Sequence, residues 1–304
     1  MKRNILLIIT LISLFSAKIV AQPFADILSF NCQTFSSSYK DSSHWKNKTD
    51  DYFLNLFLPK QFKNGNTLLI RLNSELLNAT IKPDSSYSSR LSSVSMPLGM
   101  KFVSKNKKWE TVALVIPKVA SDFKNKINPY DYQLGGIFIE NYVVNSDLKI
   151  KAGLYYNREA FGDFYVPLVG VDWRVNDKIN FYGILPTNYK VEFNLIRNKL
   201  YTGLNFKSFT RSFRLSAKDN KDYVRYDEMQ VKLFVDCFVA PKILVFGEVG
   251  YSIGKSPWQY TYNTKDVTAL NPLFTAVKSY PTFNIGVAYR VRLDLKKKEE
   301  AATN

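Results

Sequence analysis

The sequence predicts an all-β protein: a closed antiparallel transmembrane β-barrel of about 14 strands (range 12–14), following a cleaved signal peptide. Three observations carry this. The N-terminus has the form of an export signal. The remaining chain alternates apolar and polar residues with period 2, the mark of strands with one apolar and one polar face. Turn signals divide it into segments that mostly reach the roughly 9–11 residues a tilted membrane strand needs.

Lys2 and Arg3 precede an apolar stretch from Ile5 to Phe15, and the small-residue pattern Ile19-Val20-Ala21 places cleavage before Gln22. The apolar run falls short of the roughly 20 residues of a membrane-spanning helix. No cysteine stands at the cleavage point to carry a lipid anchor; Cys32 comes later. The expected division is a signal peptide at 1–21, an outer-membrane barrel at 22–293 and a charged periplasmic tail at 294–304.

Strands are expected at 26–37, 51–61, 67–79, 88–103, 109–119, 133–145, 148–158, 163–175, 178–185, 188–197, 199–211, 226–240, 242–254 and 281–293. Alternation is clearest at Leu68-Leu69-Ile70-Arg71-Leu72-Asn73, at Lys149-Ile150-Lys151-Ala152, at Val169 to Asn176, at Val191-Glu192-Phe193-Asn194-Leu195 and at Ile285 to Arg292. Connections alternate between short ones (Lys63-Asn64-Gly65-Asn66, Ser104 to Lys108, Asn145-Ser146-Asp147, Asn176-Asp177, Asn198, Pro241) and mostly longer ones (38–50, 80–87, 120–132, 212–225, 255–280). Outer-membrane barrels have short periplasmic turns and longer extracellular loops. An even count leaves both termini in the periplasm. Closure follows because an open sheet edge in hydrocarbon would leave backbone groups unsatisfied.

Composition agrees. Aromatics make up 15% of the chain, with 19 Tyr and 22 Phe, which suits strands and interfacial girdles. The formal charge is +16; without Lys2, Arg3 and Lys18, 39 basic residues face 26 acidic ones, leaving +13. A basic excess often indicates nucleic acid, but an export signal argues against that partner. Outer-membrane lipid, lipopolysaccharide or an anionic small solute fit better, and scattered basic residues also fit plain solvated strands and loops. Cys32 and Cys237 fall on the apolar parity and are expected as separate free thiols facing lipid.

Catalytic signals are weak, and neither enzyme activity nor a metal or cofactor is expected. His44, the single histidine, sits in a predicted loop among Ser42, Ser43 and Trp45, without the framework a Ser-His-Asp site or a multi-ligand zinc site requires. Asp50-Asp51 and Asp227-Glu228 read as surface charge at strand starts. Glycines fall inside strands, at Gly153, Gly170, Gly183, Gly203, Gly247, Gly250 and Gly286, where they permit bending and close packing. If the apolar parity faces lipid, the lumen receives Arg71, Glu75, Lys149, Lys151, Asp172, Arg174, Lys190, Glu192, Lys232, Asp236, Glu248, Arg290 and Arg292. This set leaves two readings open: a mildly cationic pore favouring anions, or ion pairs that fill and close the barrel. Trp258, Tyr260 and Tyr262 in the last long loop suit a constriction, a ligand or lipopolysaccharide contact, or an interfacial girdle.

In the last strand, Asn284-x-Gly286-x-x-Tyr289-x-Val291 resembles the C-terminal insertion signal of outer-membrane barrels, which implies the barrel-assembly machinery as a partner. About a dozen residues follow Val291, where such barrels usually end. Val20-Ala21-Gln22, Gly153-Leu154-Tyr155-Tyr156-Asn157, Gly183-Ile184-Leu185-Pro186 and Gly247-Glu248-Val249-Gly250-Tyr251 make the chain similar to uncharacterised β-barrel proteins of the Bacteroidetes outer membrane. The resemblance implies location and fold, and brings no activity. The expected function is a passive pore or transporter for small solutes. The alternatives are a non-conducting structural or surface-interaction barrel, a barrel lipase, or a soluble periplasmic β-protein.

Overall fold

The structure is a computed structural model that describes residues 23–38, 46–82, 88–216, 223–253, 259–261 and 278–293. The segments expected as signal peptide and charged tail, with His44, Trp258 and Tyr262, lie outside the described residues. The strands are β1 (Phe24–Ser38), β2 (Lys46–Gln61), β3 (Thr67–Lys82), β4 (Ser89–Ser95), β5 (Leu98–Val103), β6 (Trp109–Ser121), β7 (Tyr132–Val143), β8 (Leu148–Glu159), β9 (Gly162–Arg174), β10 (Ile179–Ile184), β11 (Asn188–Ile196), β12 (Leu200–Arg214), β13 (Tyr223–Ala240), β14 (Ile243–Ser252), β15 (Gln259–Thr261) and β16 (Tyr280–Arg292). Neighbours along the wall pair antiparallel, and β16 pairs with β1 from Phe24↔Arg292 to Phe35↔Thr282, closing the barrel. β4 and β5 form one stave, since both pair with β3 and β6. β15, which carries Tyr260, is a short outer addition to Tyr223–Arg225 of β13. The wall therefore has 14 staves, one for each expected segment.

Three boundaries differ from expectation. The segment 88–103 breaks at Met96-Pro97, because proline has no N–H to give the ladder. The break is bridged by Arg71 N–H to Pro97 C=O at 2.9 Å and Met96 N–H to Pro117 C=O at 2.9 Å. β2 begins at Lys46, well before the expected 51. β12 and β13 run on through the pair Arg214↔Tyr223, so both ends of the expected loop 212–225 are strand.

The outward parity is apolar. Leu54, Val115, Leu154, Val169, Leu233, Val249 and Ile285 are exposed on it. Trp109 and Trp173 stand at the end with short turns, and Tyr132, Tyr165 and Tyr251 at the end with longer loops, all exposed. An apolar band between aromatic girdles is the surface of a transmembrane barrel. Cys32 and Cys237 share that parity and are free. Ile285 is 64% exposed in the middle of β16. Ile285→Arg is expected to cost about 2–4 kcal/mol, the penalty for a cation facing the middle of the bilayer. The urea unfolding midpoint in lipid measures it, and a cost near zero would place this face in water.

Inside, glycine lets the wall curve tightly. A Cβ on Gly153 would lie 2.2 Å from Phe138 O, and one on Gly250 2.0 Å from Val231 O, so no other residue fits without moving a neighbouring strand.

The wall is not equally high all round. β10 has only six residues and turns into β11 through 185–187 while β9 and β12 continue. The last links are the mutual bonds of Val169 and Leu185 (3.1 and 2.7 Å) and Ser208 N–H to Thr187 O at 2.9 Å. Beyond them β12 leaves the wall and crosses the barrel mouth until Arg214 bridges to Ser121 of β6. Its edge is met by two side chains and one backbone group: Ser212 N–H donates to Glu159 (3.0 Å), Gln133 donates to Ser212 C=O (3.0 Å), and the Asp122 backbone N–H donates to Arg214 C=O (3.0 Å). On β9 the backbone groups of Val169, Pro167 and Tyr165 face the side β10 has vacated, because successive residues point their backbone groups alternately. Proline thus stands where an N–H would lack a ladder partner.

Candidate functional site: a capped lumen and its vestibule

Most of the expected inward set is buried in the barrel. Glu75, Lys149, Asp172, Glu192, Lys232, Asp236, Glu248, Arg290 and Arg292 are buried, and Lys151 and Lys190 are nearly so. Arg71 lines an interior cavity. Arg174 instead lies at the turn-end rim, paired with Asp147 of a connecting turn, both partly exposed.

At the loop end, apolar side chains from seven strands meet where an aqueous pore would need polar ones. Phe35, Leu77, Ala79, Leu91, Ala120, Phe213, Val224, Tyr226 and Tyr280 form one buried cluster. Arg211 of β12 reaches across it to the opposite wall, bonding Asp51 of β2 at 2.8 Å and also pairing with Glu75 of β3. Its guanidinium lies 4.4 Å from the ring centres of both Phe209 and Tyr226. Glu228 accepts from Tyr280 at 2.9 Å and from Gln230 at 2.6 Å. Asp51 (0% exposed) and Glu228 (2%) are therefore not the surface charges expected from sequence. Both strands extend past their expected ends, and the alternation turns these two carboxylates inward. Together these groups cap the barrel.

Below the cap, ion pairs fill one side of the lumen. Glu248 accepts from Asn205 (2.8 Å) and Asn284 (3.0 Å) and pairs with Lys232 (3.2 Å) and Lys190 (3.8 Å). Asn284 and Gly286 of the expected insertion motif thus face inward on β16, while Tyr289 and Val291 take the outward parity. Towards the turn end, Arg292 holds Glu192 in a two-pronged pair (2.9 and 3.0 Å). Arg290 grips both oxygens of Asp26 (2.6 and 2.9 Å) and also pairs with Asp236. Tyr201, Phe238, Leu244 and Ala288 pack among these groups. Each charge loses water on burial, and a paired, hydrogen-bonded partner offsets that loss.

The other side, from β3 to β11, is hollow. A cavity of about 690 Å³ reaches from Phe24 and Leu293 at the turn end to Ile116, Ile184 and Asn188 near the top of β10–β11. Lys149 pairs with Glu110 at 2.7 Å and Lys151 with Asp172 at 2.6 Å on its wall, while Lys101 stands 3.9 Å from Glu110. Arg71 has no hydrogen-bond or ion-pair partner among the described residues, and its guanidinium lies 4.8 Å from the Phe57 ring centre. Sequence parity found Arg71, Lys149 and Lys151. It missed Asp26, Asp51, Lys101, Glu110 and Arg211, although Arg211 closes the expected segment 199–211 on the same parity as Asn205 and Lys207. Among the described residues no group of three or more His, Cys, Asp or Glu side chains is placed to hold a metal ion.

The architecture is similar to that of solved barrels at low identity. These include an outer-membrane channel from Pseudomonas putida F1 (TM-score 0.42, 10% identity, 88% of this chain and 96% of that one). They also include the NanC porin (TM-score 0.36, 9% identity, 87% and 100%) and the outer membrane phospholipase A of Escherichia coli (TM-score 0.37, 8% identity, 88% and 93%). No curated protein matches the chain. A model built for a domain of unknown function, DUF6268, matches residues 70–296, from β3 to beyond β16, and the chain belongs to that family.

Proposed function

We propose that this protein is a gated outer-membrane channel for a small solute, not an open passive pore. The carrying observation is that a cap built from the wall's own β12–β13 hairpin stands over a hollow vestibule. A purely structural barrel has no use for a cavity of about 690 Å³ with an unpaired guanidinium on its wall. In this reading the short turns lie in the periplasm and the cap outside the cell, which the alternation of short turns with longer loops supports. The cap is suited to opening. Arg211 Nε, Asp51 Oδ1 and Glu228 Oε2 are buried without hydrogen-bond partners among the described residues, and each such group costs about 1–3 kcal/mol. Catalysis plays no part in this reading.

Conductance in planar bilayers tests it. The native barrel is expected to be closed, with brief openings at most. A variant in which a short glycine turn replaces 209–226, joining Ser208 to Asp227, is expected to conduct steadily, with some preference for anions. Steady conductance of the native barrel would point to an open pore. Silence of a correctly inserted shortened variant would leave the non-conducting structural role.

A further inference from the structure

We propose that the vestibule binds a small amphipathic monoanion, a carboxylate head on an unbranched apolar body, with Arg71 as its head-group ligand. The inference rests on the vestibule being a solute site, and it adds the class of solute.

The first ground is a stripe of aliphatic side chains where lumen parity should give polar ones. Leu69, Leu114 and Ile137 all line the cavity. They lie in one cross-strand row, since Leu69 pairs with Gly99, Gly99 with Leu114, and Leu114 with Ile137. Gly99 has no side chain, and a Cβ there would lie 2.0 Å from Ala113 O, so the strands approach closely at this point of the row and Leu69 and Leu114 are its aliphatic side chains on either side. From β3 to β7 the row covers three strand spacings of about 4.8 Å, roughly 14 Å in all. An extended apolar chain of moderate length lies along it. A passage for sugars or inorganic ions gains nothing from such a row, because dry aliphatic walls stabilise only apolar solutes.

The second ground is charge. Arg71 stands two residues beyond Leu69 on the same face of β3, at one end of the row. Lys149 and Lys151 are held by Glu110 and Asp172, so they hold no free charge for a ligand. Arg71 is solvent-exposed on the cavity wall, makes no hydrogen bond or ion pair among the described residues, and is stacked on Phe57, while Asp26 on the same wall is held by Arg290. A planar guanidinium fixed on a ring presents two parallel N–H groups, the geometry that suits a carboxylate. Lys101 shares Glu110 with Lys149, so Arg71 is the cation of this wall without an ion-pair partner among the described residues, and a single carboxylate suits it. The cavity volume lies within the range of about 300–1,000 Å³ common for small-molecule sites.

Calorimetry on the full-length mature barrel in phosphatidylcholine nanodiscs, with empty nanodiscs subtracted, tests this. The probes are decanoate, decanol, decyltrimethylammonium and butyrate. Decanoate is expected to bind at least tenfold more tightly than each of the other three. Arg71→Gln is expected to weaken decanoate at least tenfold and leave decanol unchanged, with Arg71→Lys in between. Leu114→Ser is expected to weaken decanoate and leave butyrate unchanged. Equal binding of decanol and decanoate, or an unaltered decanoate affinity in folded Arg71→Gln, overturns the proposal. Should Arg71→Gln fail to fold, the four-probe ranking on the native barrel decides alone. Binding is measured with the cap closed, so the outcome is separate from conductance. A barrel that prefers decanoate but never conducts keeps this site and loses the channel, and one that conducts without that preference loses only the site.

Discussion

Arg211→Ala is expected to release the cap, raising amide exchange in 208–214 and 223–229 by about two to three orders of magnitude. Among the described residues Arg211 is the cation that pairs with both Asp51 and Glu75, and all three side chains are at most 10% exposed. Removing it leaves two carboxylates facing each other in a buried site. Breaking a buried pair from one side costs about 3–5 kcal/mol, because the abandoned charge stays desolvated. Alanine also removes the guanidinium from beside the stacked rings of Phe209 and Tyr226. The loss falls locally, because the wall below Ser208 keeps its ladder. Hydrogen exchange resolved by segment therefore measures it better than global unfolding, and frequent openings in planar bilayers should accompany it. The triple change Arg211→Met, Asp51→Leu, Glu75→Leu is expected to restore protection, since replacing a whole buried ion cluster with apolar groups is often neutral or stabilising. Protection unchanged by Arg211→Ala alone would mean that the apolar cluster holds the cap without the ion triad.

Arg290→Ala is expected to act on the whole barrel, lowering its unfolding free energy by about 3–5 kcal/mol. Arg290 sits on β16 and grips Asp26 on β1 and Asp236 on β13, with its guanidinium 3.6 Å from the Phe24 ring centre. It ties the first strand to the last beside the register shift at Asp26/Leu28, where the closing ladder is irregular. A weaker seam here opens the sheet edge to hydrocarbon, where unpaired backbone groups are costly. The urea midpoint and the folded fraction on unheated gels are the readouts. Arg290→Lys should recover only part of the loss, since one ammonium cannot replace a fork that bonds two carboxylates. A lysine variant as stable as the native protein would show that charge alone matters at the seam.

The strands were legible because each carries its own alternation and is cut by its own turn residues. The Gly65 turn and the Asn145 and Asn176 turns announce themselves without reference to the rest of the chain. Parity assigned faces correctly even for Lys232 and Glu248, which alternation alone sends inward. What alternation does not report is distance from the barrel axis. Phe209, Arg211 and Phe213 follow the same period as Tyr201, Gly203 and Asn205, yet the first three cross the mouth and the last three stay in the wall. That difference comes from the early end of β10–β11, which frees the edge of β12, and from Glu159 and Gln133, which catch it from distant positions in the chain. The vestibule was hidden for a related reason. Leu114 and Ile137 have apolar neighbours on both parities, a pattern that suits a two-sided buried strand as well as a wall facing a hollow. A local hint to the cap did exist: the lumen parity of β1, β3, β4 and β13 turns apolar or aromatic at Phe35, Leu77, Leu91 and Tyr226, all towards the loop end.

The vacated edge of β9 also bears on how copies of this protein meet. An exposed strand edge is a template to which a second chain can add, and barrels normally have none. Above Leu185 this barrel has one, at its loop end. Pro167 cannot donate from that edge, so a strand docking there would lose a ladder bond in the middle of its run. The residue that tolerates the missing staves thus also keeps adjacent barrels from zipping together through their walls.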